Sequence, residues 1–88
     1  MHEHSLIRNL LGKIDELAEQ QKGRKIVAIN VQLGALAHIS ADHFREHFEH
    51  ETAGTHLADI QLNVEELADI NHPRAQDIVL ESIEFEEI

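Results

Sequence analysis

The chain has 88 residues and no cysteine, and its 17 acidic against seven basic side chains give a formal net charge of −10 at pH 7. This length allows one domain with one core, and the lack of cysteine excludes disulfides, thiol nucleophiles and cysteine-ligated zinc. This negative charge repels nucleic-acid phosphates and anionic membrane surfaces. We therefore expect neither nucleic acid nor a membrane as a partner.

The N-terminal sequence is polar and acidic, unlike the basic start of a signal peptide. No apolar run approaches the ~20 residues that a membrane-spanning helix needs. Small secreted domains usually depend on disulfides, so their absence favours a reducing compartment. We therefore expect a cytoplasmic protein.

The first predicted element is a helix over residues 5–23. Its apolar side chains recur at spacings of three and four: Leu6, Leu10, Ile14, Leu17 and Ala18. Ser5 is a candidate N-cap, and Gly23 is a natural residue for the C-terminal stop. Gly12 costs about 1 kcal/mol in mid-helix, which suggests that another element packs closely against it.

A strand is predicted next, over residues 25–33, and it ends at Gly34. Apolar side chains alternate along one face of it: Val27, Ile29, Val31 and Leu33. Asn30 and Gln32 point to the opposite face. This alternation is typical of a strand that buries one side and exposes the other.

A second, shorter helix is predicted from Ser40-Ala41-Asp42 to about Thr52. Phe44 and Phe48 are its core anchors, because a spacing of four places them on one face. Gly54 ends this helix.

Two more strands follow, separated by a loop over residues 67–77. Ile60, Leu62 and Val64 alternate in the first of them. The second covers residues 78–85, where Ile83 and Phe85 alternate but Ile78-Val79-Leu80 does not. A β-bulge, or a strand buried on both sides, would explain that break.

The order helix, strand, helix, strand, strand predicts an α+β fold, a two-layer sandwich with two helices on one face of a three-stranded sheet. The last two strands most simply pair antiparallel. The direction of the first strand is open, and a right-handed crossover through the second helix would make it parallel to its neighbour.

Motifs for catalysis are missing from the sequence. It contains no glycine-rich phosphate loop, no nucleophile elbow and no HExxH zinc motif. Its acidic pairs, Glu65-Glu66 and Glu86-Glu87, are typical of a solvated face. We therefore do not expect an enzyme.

The N-terminus is the sharpest local feature. The Met1 amine, the amide nitrogen of His2 and its imidazole can close adjoining chelate rings on one metal ion. A nitrogen-rich tetragonal set of this kind suits Ni(II) or Cu(II), whereas Mg and Ca require oxygen ligands. Glu3 adds negative charge beside it. The alternative is a frayed polar terminus with a chance histidine.

Three histidines on the second predicted helix form another candidate set. His43, His47 and His50 lie on one side of it, because they are separated by offsets of four and three. A pair of histidines at i and i+4 can bind Zn, Cu or Ni. The alternative is a polar helix face that never meets a metal.

A series of short stretches along nearly the whole chain is similar, in order and spacing, to one known family. The stretches are Met1-His2-Glu3 with Ser5-Leu6, Leu33-Gly34-Ala35-Leu36, Phe44, Phe48-Glu49, Thr52-Ala53-Gly54-Thr55 and Ser82-Ile83-Glu84-Phe85-Glu86. They resemble the HypA/HybF family of nickel-insertion accessory proteins for hydrogenase maturation. The resemblance implies a nickel metallochaperone whose cargo is Ni(II). It also implies His2 as the indispensable ligand, with Met1 acting through its amine and Glu3 through a backbone nitrogen or in support.

The resemblance further implies partners, namely a nickel-handling GTPase and the hydrogenase large subunit, with urease served by some members. Relatives carry a zinc domain inserted between the last two strands, where this chain has only residues 67–77 and no cysteine. We therefore expect one nickel-binding-type domain over residues 1–88 without structural zinc, and a homodimer is a further expectation. The alternative is a paralogue that no longer carries nickel and acts as an acidic protein-interaction or regulatory module.

Overall fold

The structure is a computed structural model that describes the backbone of residues 2–22 and 24–87, and the side chains of residues 5–22 and 24–87. The elements are α1 (His2–Gln20), β1 (Ile26–Leu33), α2 (Ala41–Thr52), β2 (Gln61–Glu66) and β3 (Ile78–Phe85). The predicted α+β fold and element order are confirmed. None of the helices in this described part is long and apolar enough to cross a membrane.

The sheet has the strand order β2-β1-β3, so β1 is its centre. β1 pairs with β2 in parallel, as the crossover through α2 requires, and with β3 antiparallel. The predicted pairing of the last two strands is wrong, because β1 lies between them. The local argument for a hairpin fails here because residues 67–77 are long enough to cross the end of the central strand.

One face of the sheet carries the core and both helices. Ile29, Val31 and Leu33 on β1 are buried, and they belong to one apolar cluster with residues of both helices. α1 contributes Ile7, Leu10 and Ile14, and α2 contributes Phe44 and Phe48. The predicted two-layer arrangement follows from this shared core.

The other face of the sheet is polar and holds a network of cross-strand hydrogen bonds. The Asn30 amide nitrogen donates to Ser82 Oγ at 2.8 Å and to Glu84 at 3.0 Å, and Asn63 donates to Asn30 Oδ1 at 2.8 Å. Gln32 donates to Glu65 on one neighbouring strand. These bonds explain why β1 has the side-chain amides of Asn30 and Gln32 at alternate positions.

Bulges account for two irregularities in the strand patterns. The register of β1 against β3 shifts between Ile26 and Ala28 and again between Asn30 and Val31. The second shift shows a bulge in the last strand, which was one of the two explanations considered for its broken alternation. The first shift explains why Val27 is 42% exposed, contrary to its predicted inward position, while both of its neighbours are buried.

The observed boundaries of α2 agree with the predicted ones, whereas those of α1 differ. α2 opens and ends where the sequence predicted: Ser40 is its N-cap, and Gly54 adopts the left-handed conformation just after it. α1 begins at His2, so Ser5 lies inside the helix and is not its N-cap. The predicted stop at Gly23 lies outside the described residues, and the helix itself ends at Gln20.

The loop over residues 67–77 is tied to the end of β1. Leu67 N donates to Leu33 O at 2.9 Å, and Gly34 N donates to Asp77 O at 2.9 Å. Leu36 N donates to Ala75 O at 2.7 Å, and Ala75 is itself buried. The loop is therefore an ordered crossing between the two outer strands.

Candidate metal centre

The first candidate set lies at the start of α1. Met1 and the side chains of His2 and Glu3 lie outside the described part, whereas the helical backbone begins at His2. Amide groups in the first turn of a helix have no carbonyl acceptor within that helix. A metal that replaces the amide protons of His2 or Glu3 therefore costs α1 no internal hydrogen bond.

The helix start also imposes an electrostatic condition on this set. The N-terminal end of a helix carries partial positive charge and disfavours a bare cation. Deprotonated amide ligands bring negative charge to the ion, and an acidic residue in the first turn, such as Glu3, opposes the dipole as well. The position thus favours a metal that binds with amide deprotonation, as Ni(II) and Cu(II) do in tetragonal nitrogen sites.

Both helices begin at the same end of the molecule. Leu6 and Leu10 of α1 line one groove with Ile78 and Leu80 at the start of β3. Ile78 pairs with Leu33, so the start of β3 lies beside the end of β1. Because α2 follows shortly after that end of β1, its first turn lies at the end where α1 begins.

The shared end gathers histidines that are far apart in sequence. Within the described backbone, five of the eight histidines fall in segments at this end: His2, His4, His38, His43 and His72. His38 and His72 had no role predicted from the sequence. Their sequence neighbours gave no signal, because only the strand order brings the two loops together.

The second candidate set is partly assembled. The Nε2 atoms of His43 and His47 lie 2.9 Å apart, and the two ring centroids are separated by 4.6 Å. His43 is exposed and His47 is half-buried. Among the described side chains no three His, Asp or Glu residues form a metal-holding group, so His50 does not complete a trio with this pair.

Acidic side chains share the helix with these histidines. α2 carries Asp42, Glu46, Glu49 and Glu51. Their combined negative charge raises the local concentration of cations at the helix surface.

Comparison with known proteins decides the family. The HypA family model, described as a hydrogenase/urease nickel incorporation metallochaperone, matches residues 1–72. The chain belongs to the HypA family. The matched region runs from Met1 through β2 and contains both candidate sets, and the resemblance predicted from short stretches is thereby confirmed. The family is described by its nickel incorporation, which favours the nickel carrier over the alternative of a nickel-free interaction module.

A solved structure supports the fold. The chain is similar to the Ni metallochaperone HypA from Helicobacter pylori, determined in solution, with a TM-score of 0.77 and 17% sequence identity over 97% of each chain. At this identity the likeness concerns the architecture alone. No curated protein sequence matches the chain significantly.

Proposed function

We propose that this HypA-family chain carries Ni(II) and delivers it during maturation of a nickel enzyme, with [NiFe]-hydrogenase as the first candidate recipient. The observation that carries the proposal is the family match over residues 1–72, which begins at the Met1-His2-Glu3 segment. Nickel is the cargo of the protein and is not a resident cofactor.

The ligands have distinct roles in the proposed site. The His2 imidazole is the principal ligand, and the Met1 amine and the His2 amide nitrogen close the adjoining chelate rings. Glu3 contributes its backbone nitrogen or its negative charge. A set of nitrogen ligands around one ion matches the tetragonal preference of Ni(II).

Release depends on the position of the site at the beginning of a helix. Consecutive residues provide all of the ligands, so no second element has to move before an incoming ligand can displace them. Ligand exchange with a partner is therefore the proposed transfer step, and no covalent bond of a substrate is made or broken. The hydrogenase large subunit and a nickel-handling GTPase are the proposed partners, in a reducing cytoplasm.

The proposed unit is one domain over residues 1–88 without structural zinc. The segment between β2 and β3 is the ordered crossing of residues 67–77, and the chain has no cysteine with which to build a zinc ribbon. Nickel carriage therefore rests on the α+β domain itself.

Nickel binding to the untagged protein with its native Met1 amine tests this proposal. We expect one tight equivalent by calorimetry, with the visible absorption of square-planar Ni(II). His2→Ala should lower the affinity by more than the roughly 10–100-fold typical of losing an outer-shell partner, because it removes a direct ligand.

The matched control is His56→Ala, which removes an imidazole that is 68% exposed and lies 3.6 Å from Asp15, outside both candidate sets. This variant should bind nickel like the unaltered protein. Unchanged tight binding by His2→Ala would exclude the proposed site.

A further inference from the structure

We propose that His43 and His47 form a second binding site for a divalent transition metal, separate from the N-terminal nickel site. The two side chains project from successive turns of α2, where residues four apart are neighbours. Their Nε2 atoms approach to 2.9 Å, so the same ring nitrogen of each imidazole faces the other.

The distance between the two nitrogens is short enough for one metal ion to bind both of them. With metal–nitrogen bonds of about 2.05 Å, two ligands in cis positions of a square-planar or octahedral ion lie roughly 2.9 Å apart. Two ligands of a tetrahedral ion lie roughly 3.4 Å apart at the same bond length. At 2.9 Å the two nitrogens are also at hydrogen-bond distance, so a small movement of either ring admits an ion of either geometry, and imidazole ligands suit Ni, Cu and Zn.

The helix holds the pair in place before any metal arrives. Phe44, between the two histidines in sequence, is fully buried, and Phe48, beside His47, is 3% exposed. Ser40 Oγ accepts a hydrogen bond from His43 N at 3.1 Å, which fixes the turn that carries the first ligand. Folding of α2 has therefore already ordered the backbone that brings the two imidazoles together. A metal that binds both loses less conformational entropy, which raises its affinity.

Two imidazoles fill only part of the coordination shell of a divalent transition metal, and water or another ligand takes the remaining positions. No group of three His, Asp or Glu that could hold a metal occurs among the described side chains, so this part of the chain supplies the two imidazoles as ligands. An ion with so few protein ligands exchanges readily, and negative charge from Glu46 and Glu51 on the same helix attracts it. The pair lies on α2, whose first turn is at the end of the fold where α1 begins.

The experiment compares Ni(II) binding by His2→Ala with binding by the triple variant His2→Ala, His43→Gln, His47→Gln. We expect His2→Ala to retain one weaker equivalent of nickel. The triple variant should bind this equivalent with an affinity at least tenfold lower. Retention of that equivalent in the triple variant would refute the site. His43→Gln with His47→Gln alone should keep the tight N-terminal equivalent, so failure of this proposal leaves the nickel-carrier proposal standing.

His50→Gln in the His2→Ala background is the control on the same helix. It should leave the weaker equivalent unchanged, because His50 does not group with the pair. As a second measurement, Cu(II) should broaden the amide resonances of residues 42–48 in His2→Ala; broadening centred on other residues would refute the site even if the triple variant failed to fold.

Discussion

Gly34 lies directly against the backbone of the crossing loop. A Cβ atom built on it would overlap the carbonyl oxygen of Ala75 and lie 2.6 Å from that of Arg74. These atoms belong to backbone and cannot move away as a flexible side chain can. The end of β1 therefore needs glycine so that the crossing loop can lie against it.

Gly34→Ala should destabilise the protein by about 1–3 kcal/mol, the usual cost of overpacking, because the loop must move away from β1. Urea unfolding followed by circular dichroism measures the change. Gly34→Ala with unaltered unfolding free energy would show that the loop does not need this contact.

Gly12→Ala is the matched control, and its expected effect has the opposite sign. A Cβ at this position meets nothing within 4 Å, so the close packing predicted for this glycine is wrong. Alanine is about 1 kcal/mol more favourable than glycine inside a helix. The variant should therefore be stabilised by about that amount.

At the scale of an element, two side chains cap the start of α2, one from a neighbouring residue and one from a residue far along the chain. Ser40 accepts from His43 N, and the carboxylate of Glu66 accepts from Ala41 N at 2.5 Å. The first cap is local and was predictable from the sequence. The second connects the start of α2 to the end of β2, and no local pattern indicates it.

Ser40→Ala should cost about 1 kcal/mol of stability, the typical effect of losing an N-cap side chain. Thermal unfolding measures it. Ser5→Ala, at an exposed position inside α1, should change stability by less than about 0.5 kcal/mol. A larger loss for Ser5→Ala than for Ser40→Ala would contradict the assignment of the caps.

Prediction from the sequence succeeded where a local rule decides the structure. The start of α2 at Ser40, the core position of Phe44 and the stop at Gly54 follow local rules of helix ends and periodicity, and these were predicted. Val27 broke the alternation because a bulge is set by pairing with β3, a strand more than 50 residues away. In the candidate sites, helical spacing predicted that His43 would contact His47. That His50 does not form a metal-holding group with them depends on side-chain geometry, which spacing does not give.

At the scale of the whole molecule, the position of β1 between its two neighbours determines what can connect them. β2 and β3 lie on opposite sides of β1, so they are separated by two strand spacings, or about 9.6 Å. Residues 67–77 cross this distance over the end of β1. The helix starts and the crossing loop consequently share one end of the fold.

Replacing residues 68–77 with Asn-Gly should abolish cooperative unfolding. A two-residue turn joins adjacent antiparallel strands, about 4.8 Å apart, and cannot reach across β1. Thermal unfolding followed by circular dichroism tests this. A hairpin variant that folds like the unaltered protein would contradict the strand order.

Lengthening the same loop is the control. Ile70 is 61% exposed, so four Gly/Ser residues inserted after it extend the loop into solvent. Each doubling of loop length costs only about 0.6 kcal/mol in closure entropy. This variant should keep a cooperative transition close to that of the unaltered protein.

The central position of β1 also has a consequence for synthesis on the ribosome. The parallel unit of β1, α2 and β2 is complete once Glu66 has emerged, but β3 is made only when Phe85 is added. Until then one edge of β1 has unpaired amides and carbonyls beside its apolar face, a surface on which other nascent chains can assemble. Nascent chains stalled before residue 78 should therefore depend on chaperones for solubility, whereas the finished chain should not.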